Sequence, residues 1–495
     1  MTSVRDDKLA SSLPPGLAGW SMDTQFRTPD DRELGSVVAK PLLTGVIEGF
    51  YGRAWTHAQR LEMLEWIAGA GMNSFVYGPK DDIKIRARWR ETYNAAEAAE
   101  LQELVEAARA RKLNFMVAIA PCLDVVYSDA SDLEALKRRL DQLLDLGVRH
   151  FALLFDDIPS TMAAADEEAF DSFAAAQVFF ANSAFEHLKA RVAHPVVLFC
   201  PTEYCADFAG RDVPGSAYLN TIGEGLDPEI GVFWTGPDIV SKCISAESLR
   251  EVGRVLRRKP VIWENFHAND YDVRRVMAGP LGGRKAEILG LIDGLITNPN
   301  NEFEANFIPV HTTGAFARGV DMESEALGAA LPAWQKRFRL AFAGDNEVLS
   351  LNDLQLLVEL NYQPFRQGPE VEALLQTARR LLSEKRPEVT SDGWRAGHQA
   401  IAGLRDRIRG LFNRMTELEN RDLFYAFHPY LWEAREEVTH LVAYLDWLSE
   451  EPPEDAEFPD KDRIYNFYRR GFGVAVQELL PRDATGRYRH VPAPK

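Results

Sequence analysis

The sequence has few cysteines, no long apolar run and too few cations to balance its acids. Its four cysteines are Cys122, Cys200, Cys205 and Cys243, and three of them lie in or beside apolar runs. This pattern indicates reduced, buried thiols and excludes a dense disulfide framework or a zinc site. No stretch approaches the roughly 20 apolar residues that span a bilayer. Residues 1–9 are charged and lack the apolar core of a secretory signal, so a cytoplasmic location is expected.

The acidic balance excludes two classes of partner. Asp and Glu number 74 against 56 Lys and Arg, which gives a formal net charge of −18. Nucleic acids and anionic membrane surfaces both attract clustered Lys and Arg, so neither is expected as a partner. A neutral ligand such as an uncharged sugar remains compatible with this charge. The length of 495 residues favours two or more domains.

Short apolar strands alternate with helical segments over residues 41–325. The apolar runs predict eight strands, at residues 42–47, 74–77, 115–119, 151–155, 196–199, 232–234, 261–263 and 291–297. This α/β pattern is typical of a (β/α)8 TIM-type barrel. The alternative is an open, doubly wound sheet, which usually has a glycine-rich phosphate turn after its first strand. The segment Glu48–Gly52 lacks such a turn, and the barrel is therefore favoured.

The strand pattern does not continue into residues 326–495, for which we predict a C-terminal α-helical bundle domain. Apolar residues three and four apart run from Leu404 to Leu418 and again from Leu431 to Leu448. This spacing predicts two helices packed lengthwise, with a break between them and Pro429 near the start of the second. The same seam would suit a homodimer, and the sequence leaves that alternative open. Residues 1–40 are interpreted as a leader or strap.

Polar residues concentrate at the carboxyl ends of the predicted strands, where a barrel places its active site. Strand 151–155 is followed directly by two carboxylates, Asp156 and Asp157. Successive strand side chains point to opposite faces, so both acids reach one pocket only if the backbone leaves strand geometry there. In a shared pocket the charge of one acid raises the pKa of the other. One acid then serves as an ionised orienting group and the other as a proton donor.

Three functions fit these strand ends. The first is glycoside hydrolysis by the acid pair, since aromatic faces, carboxylates and amides suit a sugar. The second is a metal-dependent barrel hydrolase with Asp156, Asp157, His267 and Asp270 as ligands. The third is a barrel that binds its ligand without turnover. The sequence has no HxH or HExxH pattern, so glycoside hydrolysis is favoured and neither a metal nor another cofactor is expected.

Longer motifs at the same strand ends resemble the catalytic domain of the O-GlcNAcases, glycoside hydrolase family 84. The resemblance covers about residues 43–311, whereas the helical domain is similar only in kind. The similar segments are Gly45–Arg53, Tyr77–Asp82, Phe151–Ile158, Phe199–Cys205, Trp234–Pro237, Pro260–Asp272, Thr297–Asn300 and Phe303–Asn306.

The resemblance implies hydrolysis of β-linked N-acetylglucosamine from Ser and Thr of proteins, with retention of configuration. In this class the acetamido oxygen of the sugar attacks the anomeric carbon and forms an oxazoline, in place of a glycosyl-enzyme ester. Implied substrates are O-GlcNAc-modified proteins or peptides, or other β-N-acetylglucosaminides.

The resemblance also implies a role for each matching residue. Asp156 would accept the acetamido N–H, and Asp157 would protonate the leaving oxygen and later deprotonate water. Tyr204 would hydrogen-bond the acetamido group, and Trp263 would line its pocket. The sugar hydroxyls would be held by Gly49, Lys80, Asn265, Asp270 and Asn298. The sequence departs from the family at Gly78, where alanine is expected, and at Glu264, where aspartate is expected.

Overall fold

A computed structural model describes most of the chain that follows residue 40. The described residues are 41–272, 274–341, 347–383, 391–453, 456, 458–459 and 471–480. The leader or strap predicted for residues 1–40 lies outside them. In the described part of the chain, no helix is long and apolar enough to cross a membrane.

Eight strands close into a barrel in chain order. They are β1 (Leu43–Glu48), β2 (Ser74–Tyr77), β3 (Asn114–Ile119), β4 (His150–Leu154), β5 (Val197–Cys200), β6 (Gly231–Trp234), β7 (Val261–Glu264) and β8 (Gly294–Thr297). Neighbouring strands pair in parallel, with Phe151 of β4 opposite Val117 of β3 and Val197 of β5. Almost all strand residues are buried, which is why these strands read as continuous apolar runs.

The predicted (β/α)8 barrel is confirmed, and most predicted strand ends lie within one residue of the observed ones. The eighth strand is the exception. It begins at Gly294, three residues later than predicted, because Leu291, the first residue of the predicted strand, ends the 3-10 helix Ala286–Leu291. A short apolar run has the same composition in either conformation, so periodicity alone does not separate them.

Most helices of the barrel region begin just after a residue whose side chain caps them. The helices of this region are α1 (His57–Gly69), α2 (Ala95–Ala110), α3 (Ala130–Asp145), α4 (Ala164–Ala169), α5 (Phe173–Lys189), α6 (Ala217–Gly225), α7 (Ala246–Leu256) and α8 (Phe307–Ala317). Thr56 and Asn94 each form a capping box with the third residue of the helix that follows. These caps satisfy backbone N–H groups that have no partner inside the helix.

The region after the barrel is helical, as predicted. Its helices are α9 (Leu327–Gln335), α10 (Leu351–Leu360), α11 (Pro369–Ser383), α12 (Asp392–Thr416), α13 (Arg421–Ser449) and α14 (Phe472–Gln477). Helices α12 and α13 pack against each other, and the predicted apolar seam is buried within this one chain. The homodimer stays a prediction.

The break predicted near Pro429 is wrong. Helix α13 begins at Arg421 and continues through the proline to Ser449. Proline removes one hydrogen bond from a helix interior and strains the preceding turn. Here the flanking side chains Leu423, Phe427 and Leu431 are fully buried, so packing along the helix outweighs the local cost.

The described chain forms two compact units by its internal contacts. The first contains the segment that ends at Gly49, then Met72–Trp263 and Glu287–Ile296. The second contains Phe50–Gly71, Glu264–Ala286 and the chain from Thr297 onward.

Candidate functional site

The two acids that follow β4 differ in backbone conformation and in exposure. Phe155 extends the pairing with β5, since its N–H donates to the carbonyl of Cys200 at 2.9 Å. Asp156 is buried and Asp157 is exposed. Asp157 has a φ of 54°, in the left-handed region. That conformation costs most residues other than glycine roughly 1–2 kcal/mol, and aspartate adopts it more readily than most, so contacts around Asp157 add to its stability there. The departure from strand geometry that a shared pocket requires therefore occurs at Asp157.

Lys80 holds Asp156 in its ionised form. Its ammonium nitrogen lies 2.8 Å from Oδ2 of Asp156, and the two side chains are only 4% and 9% exposed. Burial acts to raise the pKa of Asp156, but the charge and hydrogen bond of Lys80 outweigh it, and Arg86 adds to their effect. The pKa of Asp156 consequently lies below its usual value.

The second oxygen of Asp156 remains available as an acceptor. Oδ1 is buried and has no hydrogen-bond partner among the residues that the structure describes. A buried acceptor without a partner is costly, and such atoms mark positions where a ligand group fits. Asp156 can therefore accept an N–H or O–H from a ligand while Lys80 balances its charge.

Tyr204, which follows β5, donates its hydroxyl hydrogen to Oδ1 of Asp157 at 2.8 Å. The tyrosine is buried, and its ring meets Phe208 edge-on at a centroid distance of 4.9 Å. Burial, followed by the charge of Asp157, raises the pKa of Tyr204, so the phenol stays protonated and acts as a donor. The structure thus brings Tyr204 to the second acid. Its role toward an acetamido group stays a prediction.

Gly49 and Trp263 are brought together in the first unit. A Cβ atom at position 49 would lie 2.8 Å from Cζ2 of the Trp263 ring, which is closer than such atoms approach. The indole is buried and meets Phe233 edge-on at 5.1 Å. The absence of a side chain at Gly49 is therefore needed for Trp263 to occupy its place.

Arg86 is a residue near the acids that sequence reasoning missed. Its Nη2 donates to the backbone carbonyl of Asp157 at 3.0 Å. In the sequence it is one of four cations at alternate positions, with Lys84, Arg88 and Arg90. Nothing in that pattern distinguishes the cation that turns toward the acids.

In the second unit, the loops that follow β7 and β8 bring two predicted carboxamides together. Nδ2 of Asn298 donates to Oδ1 of Asn265 at 3.0 Å, and both residues are buried. Oδ1 of Asn298 is a buried acceptor without a partner in the described part of the chain. Asp270 is half-buried and accepts from the backbone N–H of Tyr51 at 2.9 Å. These side chains present oriented acceptors of the kind that hydroxyl groups need.

A buried ion pair supports the loop after β7, and it too was not predicted from the sequence. Arg284 binds both carboxylate oxygens of Glu264, at 2.6 and 2.7 Å, and the side chains are 0% and 1% exposed. Oε1 of Glu264 also accepts from the backbone N–H of Phe266 at 3.0 Å. Glu264, which departs from the family pattern, thus has both carboxylate oxygens bound by an arginine 20 positions away.

His267, a ligand in the metal alternative, has a structural contact in the second unit. Its Nε2 lies 3.0 Å from the carbonyl oxygen of Gly279. Burial lowers the pKa of His267 to about 3, so the ring is neutral. Within the described residues, no group of three or more His, Cys, Asp or Glu side chains has an arrangement that could hold a metal ion.

Comparison with known proteins identifies relatives of this arrangement. A family described as beta-N-acetylglucosaminidase matches residues 44–347. The Protein O-GlcNAcases of Mus musculus and Rattus norvegicus are each 48% identical over 274 residues, which is 55% of this chain. The matched region is only 30% of the length of each relative.

A solved structure shows a similar fold. A mutant of the O-GlcNAc hydrolase from Thermobaculum terrenum superposes with a TM-score of 0.72 at 24% identity, covering 88% of this chain and 92% of that one. The family match, by contrast, rests on sequence and includes the acids after β4 together with the loops after β7 and β8. The chain belongs to the beta-N-acetylglucosaminidase family.

Proposed function

We propose that this protein hydrolyses β-linked N-acetylglucosamine from serine and threonine side chains of proteins, with retention of configuration. The sugar's own acetamido group would act as the nucleophile and form an oxazoline. Family membership supports a hydrolase of N-acetylglucosaminides. The name of the mammalian relatives, Protein O-GlcNAcase, supports a protein substrate.

The observation that carries this proposal is the state of Asp156. It is a buried carboxylate with one oxygen on Lys80 and the other without a partner. An acetamido N–H that donated to Oδ1 would turn the acetamido oxygen toward the anomeric carbon. As that oxygen bonds to carbon, positive charge develops on the new ring, and a fixed anion beside it lowers the barrier. A neutral acid would orient the group but would not stabilise this charge.

Asp157 would donate a proton in the first step and accept one in the second. In the first step its carboxyl hydrogen passes to the glycosidic oxygen as the bond from that oxygen to the anomeric carbon breaks. In the second step the resulting carboxylate takes a proton from water as the water oxygen attacks the same carbon and the bond from that carbon to the acetamido oxygen breaks. Breaking this bond opens the oxazoline ring and restores the acetamide, and Asp157 carries its hydrogen again. The exposure of Asp157 and the hydroxyl of Tyr204 on its Oδ1 suit a group that exchanges protons.

Apolar side chains around the strand ends support a polypeptide substrate. In the first unit, large hydrophobic residues are exposed in four loops that follow strands, at Ile83, Leu123, Phe208 and Ile239. They lie after β2, β3, β5 and β6, at the carboxyl ends of the strands where Asp156 lies. Exposed apolar groups around a catalytic opening are typical of a surface that contacts a partner. We infer that they contact the peptide that carries the sugar.

The nucleophile is tested by weakening it. An aryl N-acetylglucosaminide and its N-trifluoroacetyl analogue share a leaving group but differ in acetamido nucleophilicity. We expect kcat/KM to fall by more than about tenfold, equivalent to about 1.4 kcal/mol in activation free energy. Equal rates on the two substrates would exclude participation by the acetamido group.

The proton donor is tested by varying the leaving group. We expect Asp157→Ala to lose about 10²–10⁴-fold in kcat on a poor leaving group, the usual contribution of a general acid, and far less on an activated aryl glycoside. Asp156→Asn should be nearly inactive on both substrates, because the anion that stabilises the ring is lost. If Asp157→Ala lost the same factor on both, Asp157 would not be the donor.

A further inference from the structure

We propose that Arg86 is a positioning residue that holds Asp157 in its left-handed backbone conformation and so aims the carboxyl group of Asp157. The guanidinium donates from Nη2 to the carbonyl oxygen of Asp157 at 3.0 Å, and the φ of Asp157 is 54°. The catalytic consequence of this contact rests on the proposed function. The conformational consequence does not.

The hydrogen bond from Arg86 acts on the backbone of Asp157. A donor on a carbonyl oxygen fixes the plane of the peptide that follows, and with it the ψ of Asp157. Once φ and ψ are set, the direction of the Cα–Cβ bond is set as well. A single aspartate can adopt the left-handed region but does not prefer it to the right-handed one, and a charged donor forms a stronger hydrogen bond than a neutral one. Arg86 is thus suited to keep Asp157 in this conformation.

The loop that carries the arginine is itself anchored at two points. The side chain of Ile85 is fully buried, and its carbonyl accepts from the N–H of Ala120, just after β3, at 2.8 Å. The carboxylate of Asp82 accepts the hydroxyls of Tyr77 and Tyr93 at 3.0 and 2.7 Å. A donor presented from such a loop loses little conformational freedom when it binds. The arginine is therefore placed by the fold and not by a chance surface pairing.

The cations of this loop make different contacts, although the charge of Arg86 also helps Lys80 to lower the pKa of Asp156. Lys80 contacts the carboxylate of Asp156, whereas Arg86 contacts the main chain of Asp157. Arg88, two residues further on, is largely exposed and lies 3.8 Å from the exposed carboxylate of Glu91. It has the same chemistry and loop as Arg86, so it provides a matched control.

The experiment compares Arg86→Met, Arg86→Lys and Arg88→Met in the full chain. Kinetics are measured on two aryl N-acetylglucosaminides, one with a poor and one with an activated leaving group. For Arg86→Met we expect kcat on the poor leaving group to fall about ten- to hundredfold, since a displaced catalytic group costs about that much. We expect the activated substrate and both KM values to change by less than about threefold. The kcat of Arg86→Lys on the poor leaving group should lie between those of the parent and Arg86→Met. Arg88→Met should have the kcat and KM of the parent.

A second measurement reports on the backbone without needing activity. Amide hydrogen exchange at residues 155–158 should be about tenfold faster in Arg86→Met than in Arg88→Met, because local opening becomes easier. Unchanged exchange would overturn the proposal, as would equal kinetic losses on both substrates or a rise in KM alone. If the parent protein released no sugar from any N-acetylglucosaminide, the proposed function would fail. The exchange comparison would still decide whether Arg86 holds Asp157.

Discussion

Replacing Lys80 by methionine tests whether this lysine keeps Asp156 ionised. Methionine keeps an apolar stem of similar length and removes the charge that lies 2.8 Å from Asp156. Burial, the largest influence on Asp156, would then be opposed mainly by the more distant charge of Arg86. We therefore expect the pKa of Asp156 to rise in the variant.

The structure sets the size of the effect on stability. Removing one partner of a buried ion pair costs about 3–5 kcal/mol, because the other charge is left without compensation in a poorly solvated site. With side chains 4% and 9% exposed, the pair of Lys80 and Asp156 belongs to this class. We expect the free energy of unfolding to fall by that amount at pH 8. Lys80→Met combined with Asp156→Asn should lose less than the sum of the single changes, with a coupling of about 0.5–3 kcal/mol.

The pH dependence has a definite sign. In the parent the pKa of Asp156 is lowered, so the pair adds stability above the unfolded pKa of an aspartate and loses it as pH falls through the folded pKa. In Lys80→Met the uncompensated charge destabilises the fold at high pH. That penalty shrinks as pH falls and Asp156 takes up a proton. The acid limb of kcat/KM should move to higher pH, since Asp156 works as an anion.

Urea unfolding and kcat/KM between pH 3 and pH 9 measure these effects. Lys137→Met is a control, because Lys137 forms an exposed pair with Glu134 whose loss should cost about 0–1 kcal/mol. If Lys80→Met kept the acid limb and the stability profile of the parent, the ionisation of Asp156 would not depend on Lys80.

Three further changes probe packing and hydrogen bonds around the candidate site. Gly49→Ala should destabilise the protein by about 1–3 kcal/mol, the usual cost of overpacking, because its Cβ would meet the Trp263 ring at 2.8 Å; the thermal midpoint reports this. Arg284→Met should lower the free energy of unfolding by about 3–5 kcal/mol, because the buried carboxylate of Glu264 is left without its partner. An unchanged midpoint in a urea titration would contradict a stabilising role for this ion pair. Tyr204→Phe should lower kcat about tenfold through loss of its hydrogen bond to Asp157, with the circular dichroism spectrum unchanged.

Much of the fold could be predicted because its signals are local. A strand buried on both faces needs an unbroken apolar run, and the run before Asp156 has that form. Capping residues such as Thr56 mark the helix starts in the same local way. The break near Pro429 was predicted wrongly because the packing that sustains α13 comes from other elements of the fold, above all from α12.

The candidate site could be predicted only where its residues directly follow strands. Asp156, Lys80 and Tyr204 lie within four residues after a strand, and chain order alone assigns them to the carboxyl ends of the strands. Arg86 and Arg284 act through contacts at sequence separations of 71 and 20. The residues next to these two arginines in the sequence do not indicate those contacts, so no local pattern could identify the arginines.

The sequence by itself determined the eight-strand order, the helical region after the barrel and the position of two carboxylates at one strand end, because each depends on neighbours along the chain. Only the tertiary structure decided which acid is buried and ionised and which is exposed, and that Asp157 adopts a left-handed backbone. The physical reason is that charge state and backbone strain depend on groups brought close through space. For this pair those groups are Lys80, 76 residues away, and Arg86, 71 residues away.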